Sequence, residues 1–180
     1  MNSLFISIII SASSQIHGDH ALKDTLSQKL TIPVEYAFNS IMIYNDITVY
    51  ITEGDKNEII VKDEDVSNNF KFKVTDGVLV IQGKKSFLSK NNPIKITISA
   101  KNINSITIMD DAEVRTIGEL SYRKLNLEIY GDGAIYVNTK AIQVNTFIKG
   151  LGKIEVKGNF KNTTINKDAY GNMISSYNCN

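Results

Sequence analysis

An internal repeat constrains this sequence more than any other feature. Across the second half of the chain, a short alternating apolar strand leads through small or acidic residues into another short strand, and the unit then recurs. Its period is about 20 residues, which is typical of solenoid proteins, whose coils stack on one another. A small residue recurs at the corner of each coil: Ala112, Gly133, Gly152 and Gly171. The repeat therefore predicts an all-β solenoid with coils of about 20 residues.

The corner column has a physical reason, because each coil must change direction within a few residues. Glycine reaches positive φ and lets neighbouring backbones approach closely. Between corners, alternation predicts that Leu127 and Ile129 point inward while Asn126, Glu128 and Tyr136 point to solvent. One coil cannot bury its apolar side alone, so the stacking of several coils would supply the core.

The first half of the chain alternates apolar and polar residues with a period of two from Phe38 onward, which predicts half-buried strands. Asp76 and Gly77 lie between two apolar runs, and an Asp-Gly pair in that position is a strong hairpin signal. Residues 84–93 are polar and rich in lysine, which predicts a longer loop. From Phe38 onward no segment has the period of a helix.

The N-terminus predicts export. Residues 4–10 form a short apolar run followed by small residues, which is the pattern of a signal peptide, although no Lys or Arg precedes the run. A first strand of the domain is the alternative interpretation. We expect a signal peptide at 1–14, a polar linker at 15–33 and the solenoid domain at 34–180. The run is too short to span a bilayer, so we expect no transmembrane span in the mature chain.

Charge and cysteine content exclude several classes of function. The formal net charge is +1 with acids and bases spread along the chain, and neither Arg115 nor Arg123 lies in a basic cluster, so nucleic acid is not expected as a partner. Cys179 is the sole cysteine, which rules out an intrachain disulfide. His17 and His20 fall in the predicted linker, where a metal site is not favoured. We expect no cofactor.

The chain resembles a known family. The resemblance is carried by residues 38–55, by Asp76 and Gly77 before the next strand, and by the recurring corners at 131–134 and 150–153. These features are similar to the auto-transporter adhesin head family, also called the GIN domain, over about residues 36–175. The resemblance implies a single-stranded right-handed β-helix exported by bacteria related to Bacteroidota. The family name implies adhesion, and the family's molecular function is unassigned.

The acidic corners offer the strongest case for chemistry. Asp110 and Asp111, which replace small residues of the family pattern, could lie beside Asp132 on the next coil. Such carboxylates could act in glycoside hydrolysis or bind calcium. Turn aspartates that bind nearby backbone groups explain them equally well. Since the predicted domain contains no histidine and Leu151 replaces the acid on the third coil, we expect neither an enzyme nor a metal site.

An outward column is the candidate contact surface. Arg115, Tyr136 and Glu155 would occupy the same position on successive coils, with Tyr130 also facing outward. Aromatic side chains with polar tips are favoured at recognition surfaces, although a solvated face of weak contacts is the plainer interpretation. Phe147 would also face outward, unless the register is shifted by one residue.

Three functional hypotheses follow. The first is a non-enzymatic binding or adhesion module of the bacterial envelope, with a glycan or an envelope protein as its partner. The second is a structural component that forms homo-oligomers. The third is a carbohydrate-active β-helix enzyme, which the missing histidine disfavours. All three place the protein outside the cytoplasm: in the periplasm, on the outer-membrane surface or secreted.

Overall fold

The computed structural model describes residues 29–62, 67–84, 94–168 and 172–177, and in these residues thirteen strands form one sheet. The strands are β1 (Leu30–Pro33), β2 (Ser40–Tyr44), β3 (Ile47–Glu53), β4 (Glu58–Val61), β5 (Phe70–Thr75), β6 (Val78–Gly83), β7 (Ile94–Ala100), β8 (Ser105–Ile108), β9 (Glu113–Thr116), β10 (Lys124–Tyr130), β11 (Ala134–Lys149), β12 (Lys153–Asp168) and β13 (Asn172–Tyr177). The all-β class is as predicted.

Hydrogen-bonded strands follow the order β1-β4-β7-β3-β9-β11-β10-β8-β2-β6-β5, and β12 joins β11 to β13. The sheet curls into a half-barrel. Most of the pairs are parallel, whereas β1 with β4, β4 with β7 and β5 with β6 are antiparallel. The sheet is therefore mixed, and its order along the path departs widely from the order along the chain.

The predicted single-stranded right-handed β-helix is wrong. In such a helix each strand pairs with the strands one coil before and after it, and all strands of one face run parallel. Here β2 lies between β6 and β8, and β3 lies between β7 and β9. The turn at Asp76 and Gly77, with φ of 51° and 75°, reverses the chain and makes the antiparallel pair β5–β6. A solenoid cannot contain that hairpin within its coils.

The repeat itself is present as a local parallel stack. Val114 pairs with Ile135, Ile135 pairs with Ile154, and Ile154 pairs with Met173. Leu127 likewise pairs with Ile106 on one side. The spacing near 20 residues therefore gives the correct register of the parallel pairs among β8 to β13. Extending the same period to the whole chain gives the wrong topology.

The core lies on the inward side of these strands. Leu127, Ile129 and Ile135 are fully buried, and Val137 is 3% exposed, as alternation predicted. The N-terminal strands supply a similar set of isoleucines, including Ile47 of β3. The inward residues are mostly apolar, although β11 also buries Thr139 and Thr146. Packing of the inward side fixes the strands, so the alternate residues face outward at defined positions.

Several expectations fall on residues that the structure leaves undescribed. The predicted signal peptide at 1–14, the two linker histidines, loop residues 85–93, the corner at Gly171, and Cys179 lie outside the described residues. The last four residues of the predicted linker form β1, which pairs with β4. The domain boundaries stay predictions. Among the described residues, no helix has the length and apolar character needed to cross a membrane.

Candidate functional site

Three neighbouring strands bring the predicted column together. Arg115 on β9 is in register with Tyr136 on β11, which in turn is in register with Glu155 on β12. The residue before each of them is buried, so all three side chains leave the sheet on its outward side. We call Arg115, Tyr136 and Glu155 the outward row. Its geometry is that of three cross-strand neighbours.

The ring of Tyr136 lies close to two cations. The guanidinium carbon of Arg115 is 4.1 Å from the ring centroid, and the Nζ atom of Lys153 is 5.0 Å from it. Both distances are within the range of cation–π attraction, which contributes about 0.5 to 1 kcal/mol for an arginine at an exposed site. These contacts restrict the orientation of the Tyr136 ring.

Ion pairs hold the charged neighbours of the ring. Arg115 Nε donates to Glu113 Oε1 at 2.6 Å, and this hydrogen bond raises the pKa of Arg115. Glu155 accepts from Lys157 at 2.9 Å and from Lys153 at 3.0 Å, and these two bonds lower the pKa of Glu155. Exposed pairs of this kind contribute little to stability. Their effect here is to orient the side chains around Tyr136.

The outward row borders a small open cleft of about 210 Å³. Arg115, Tyr136, Glu155 and Lys157 line it together with the polar residues Thr116 and Asn138. The cleft thus combines an aromatic ring, charges of both signs and hydrogen-bonding groups. That combination can receive a polar ligand such as a sugar or a peptide side chain.

The outward face of the sheet continues beyond the outward row, onto strands that sequence reasoning did not connect with it. Tyr50 on β3 is in register with Arg115, and Thr97 on β7 is in register with Tyr50. Ile60 on β4 comes next. Alternation in β3 and β7 could have predicted that Tyr50 and Thr97 face outward. No signal in the sequence showed that these strands extend the same face.

Tyr130 belongs to a different ladder. It is in register with Lys149, and its ring contacts Phe147 with centroids 5.4 Å apart. Its hydroxyl donates to Glu128 Oε2 at 3.2 Å. Burial and the nearby Glu128 charge raise the pKa of Tyr130. Phe147 does face outward, so the register was correct, and Tyr130 with Phe147 forms a second aromatic patch.

The comparisons with known proteins bear on what this surface serves. Residues 37–177 match the family described as "Putative auto-transporter adhesin, head GIN domain". The chain belongs to this family. The match spans most of the chain. It includes the outward row, the corner residues Ala112, Gly133 and Gly152, and the patch of Tyr130 with Phe147. No curated protein sequence matches it.

Solved structures share the fold of this GIN domain. A "putative lipid binding protein" from Parabacteroides distasonis aligns with a TM-score of 0.61 at 15% identity, over 83% of this chain and 67% of that one. A "putative adhesin" from the same species aligns with a TM-score of 0.54 at 19% identity, over 81% of this chain and 71% of that one. At these identities the likeness shows the fold alone. Neither the family nor these two structures is described as an enzyme.

Three of the four predicted corner residues of the GIN domain, Ala112, Gly133 and Gly152, fall in the described part of the chain. Ala112 is fully buried, and its carbonyl accepts from the backbone N–H of Ala134 at 2.9 Å. On the next coil, the carbonyl of Gly133 accepts from Lys153 N–H at 3.0 Å. A Cβ at Gly152 would lie 2.7 Å from the Ile129 side chain. The three described corners therefore form a tight structural column with no room for a ligand.

The corner aspartates of the GIN domain act as acceptors for neighbouring turns. Asp110 Oδ2 accepts from the backbone N–H of Asn45 at 2.9 Å, and Asp132 Oδ1 accepts from that of Leu151 at 3.1 Å. Asp111 is exposed. Within the described residues, no group of three or more His, Cys, Asp or Glu residues could hold a metal ion. These contacts favour the turn role over catalysis or calcium binding.

Proposed function

We propose that this GIN domain is a non-enzymatic binding module of the cell envelope that contacts its ligand through the outward row. The observation that carries the proposal is the Tyr136 ring in cation–π contact with both Arg115 and Lys153 beside an open cleft. Side chains fixed on rigid strands lose little entropy on binding, which favours recognition. The ligand class is a glycan or an envelope protein.

Two further observations support a binding role over catalysis. Both histidines of the chain precede the described residues, so the sheet carries none of the usual general base. Two of the three corner aspartates, Asp110 and Asp132, accept hydrogen bonds from backbone N–H groups of neighbouring turns. The adhesin description of the family supports the same role.

The test is the loss of binding in Tyr136→Ala. A glycan array and an envelope-protein fraction would first identify the ligand of the purified domain. We expect Tyr136→Ala to weaken that binding by at least about tenfold, because it removes the ring that the two cations orient. Its free energy of unfolding should fall by only about 0.5 to 2 kcal/mol, since the truncation removes the cation–π contacts with Arg115 and Lys153 but no core packing.

Two further variants sharpen the result. Tyr36→Ala is the matched control, because Tyr36 is 67% exposed and lies outside the row, and it should bind like the wild type. Tyr130→Ala tests the second aromatic patch separately. Unchanged binding in Tyr136→Ala would contradict the proposal. So would turnover of a polysaccharide that Asp132→Asn abolishes while the fold is kept.

We also propose that the protein is exported and acts outside the cytoplasm, with residues 1–14 removed as a signal peptide. The apolar run at 4–10 and the small residues that follow it support this, and the adhesin family description agrees with it. N-terminal sequencing of the protein recovered from cells measures the cut directly. A cytosolic chain that begins at Met1 would contradict export.

A further inference from the structure

An open groove of about 610 Å³ lies on the outward side of the sheet, at the end that carries β1 and β4. Its floor includes Tyr50, Ile60, Thr97 and Ile117. Ile117, which directly follows β9, is 51% exposed and contributes aliphatic surface to the groove. The floor therefore offers an aromatic ring and aliphatic surface together with two hydroxyl groups.

Three lysines border the same groove: Lys29, Lys62 and Lys95. In the antiparallel ladders, Leu30 pairs with Val61, and Val61 pairs with Ile96. One residue further along, the register places the three lysines side by side on neighbouring strands. Strands lie about 4.8 Å apart, so the row spans about 10 Å at the backbone. We call these residues the lysine row.

Like charges at directly opposed positions destabilise a sheet. Among the described residues, no carboxylate forms an ion pair with Lys29 or Lys95, while Lys62 has a contact of its own. On the next strand, β3, Thr48 is in register with Lys95. One strand further, Glu113 on β9 is in register with Thr48, and its carboxylate is paired with Arg115. The charges of Lys29 and Lys95 are therefore available to an anionic ligand.

We propose that the lysine row and the groove floor bind an acidic polysaccharide, one that carries uronate or sulfate groups. Anionic groups spaced along such a chain complement the charges of Lys29 and Lys95, which flank Lys62. Sugar rings would pack on the aromatic and aliphatic surface while their hydroxyls bond to Thr97 and Tyr50. A fatty acid has one carboxylate and needs an enclosed apolar cavity for its tail. The open floor and the line of charges favour the polysaccharide.

This proposal stands apart from binding at the outward row. The groove lies over β4, β7 and β3, whereas Tyr136 and Glu155 lie on β11 and β12. Tyr136→Ala should leave polysaccharide binding at the lysine row unchanged. The two proposals can therefore fail independently.

The experiment measures binding of the purified domain to polygalacturonate by calorimetry, with neutral dextran and phosphatidylglycerol vesicles as the other probes. We expect binding to polygalacturonate that weakens as salt rises, because salt screens exposed charges, and no binding to dextran. The double variant Lys29→Gln/Lys95→Gln should weaken it by at least about tenfold through the loss of charge-assisted contacts. Tyr50→Leu should also weaken it and leave the salt dependence intact.

The matched control is Lys71→Gln/Lys73→Gln, which removes the same charge from exposed positions on β5, at the far end of the sheet path. If the loss of binding depends on where the charge is removed, the control variant should bind polygalacturonate within about twofold of the wild type. That is well short of the tenfold loss expected for Lys29→Gln/Lys95→Gln. Equal weakening in the control pair would overturn the proposal, as would absence of polygalacturonate binding. Binding to the vesicles alone, abolished in Lys29→Gln/Lys95→Gln, would assign the row to anionic lipid and also overturn it.

Discussion

At the scale of single residues, Gly133 shows what the corner column requires. A Cβ at this position would lie 2.5 Å from the carbonyl oxygen of Ala112 and 2.8 Å from Cγ2 of Ile108. Gly133 does not have a positive φ, whereas Gly150 two residues before the next corner has a φ of 132°. Glycine is therefore required at Gly133 because neighbouring backbones approach closely there. The positive φ that favours glycine occurs instead at Gly150.

Replacing Gly133 with valine should lower the free energy of unfolding by about 1 to 3 kcal/mol, because the added side chain must displace a neighbouring carbonyl and a packed isoleucine. Chemical or thermal denaturation measures the change. Ala134→Val is the matched control, since Ala134 is half-buried on the outward side of β11, and it should cost much less. A Gly133→Val protein as stable as the wild type would show that the corner can relax.

At the scale of strands, the sequence predicted the faces well. Alternation in β3 correctly assigned Ile47, Val49 and Ile51 to the core. The Asp-Gly pair correctly predicted a hairpin, and the positive φ of both Asp76 and Gly77 is what the tightest hairpin turns require. These successes share one cause. Side-chain alternation and turn chemistry are local properties, so a short stretch of sequence contains all of the information needed.

Strand pairing was predictable only where the repeat recurs. A small corner residue directly precedes each of β9, β11 and β12. These residues mark equivalent positions, so the sequence alone places Arg115, Tyr136 and Glu155 in one row. The first half carries no such marks. Its strands present similar isoleucine-rich faces, and alternation specifies which side faces the core without specifying the partner. Tyr50 and Lys95 were therefore not recognised as parts of the same outward face.

At the scale of the whole molecule, the eleven-strand path ends in β1 on one side and β5 on the other, and each is antiparallel to its neighbour. β1 carries Pro33 at one end, and β5 carries the exposed Lys71 and Lys73 at the other. Proline and lysine on terminal strands oppose pairing with another chain. The two ends of this path are thus unsuited to joining copies edge to edge. Among the described residues, the remaining strand edge is that of β13, which pairs with β12 alone.

The mixed topology can be tested by disulfide trapping, because it makes neighbours of residues that a single-stranded coil would separate. Met42 on β2 is in register with Val80 on β6, and both are half-buried. Paired positions in a sheet have Cα separations within the range of a disulfide. In a Cys179→Ser background, Met42→Cys/Val80→Cys should form an intramolecular disulfide on oxidation, detected as a mass loss and a mobility shift without reductant.

The control pair is Met42→Cys/Lys62→Cys. These positions are separated by about one period of the repeat, so a coil of about 20 residues would stack them. In the mixed sheet, β2 pairs with β6 and β8, and Lys62 follows β4 on the far side of the path, so this pair should stay reduced. Because each topology predicts a disulfide in a different variant, oxidation of the control pair alone would restore the solenoid and contradict the sheet order.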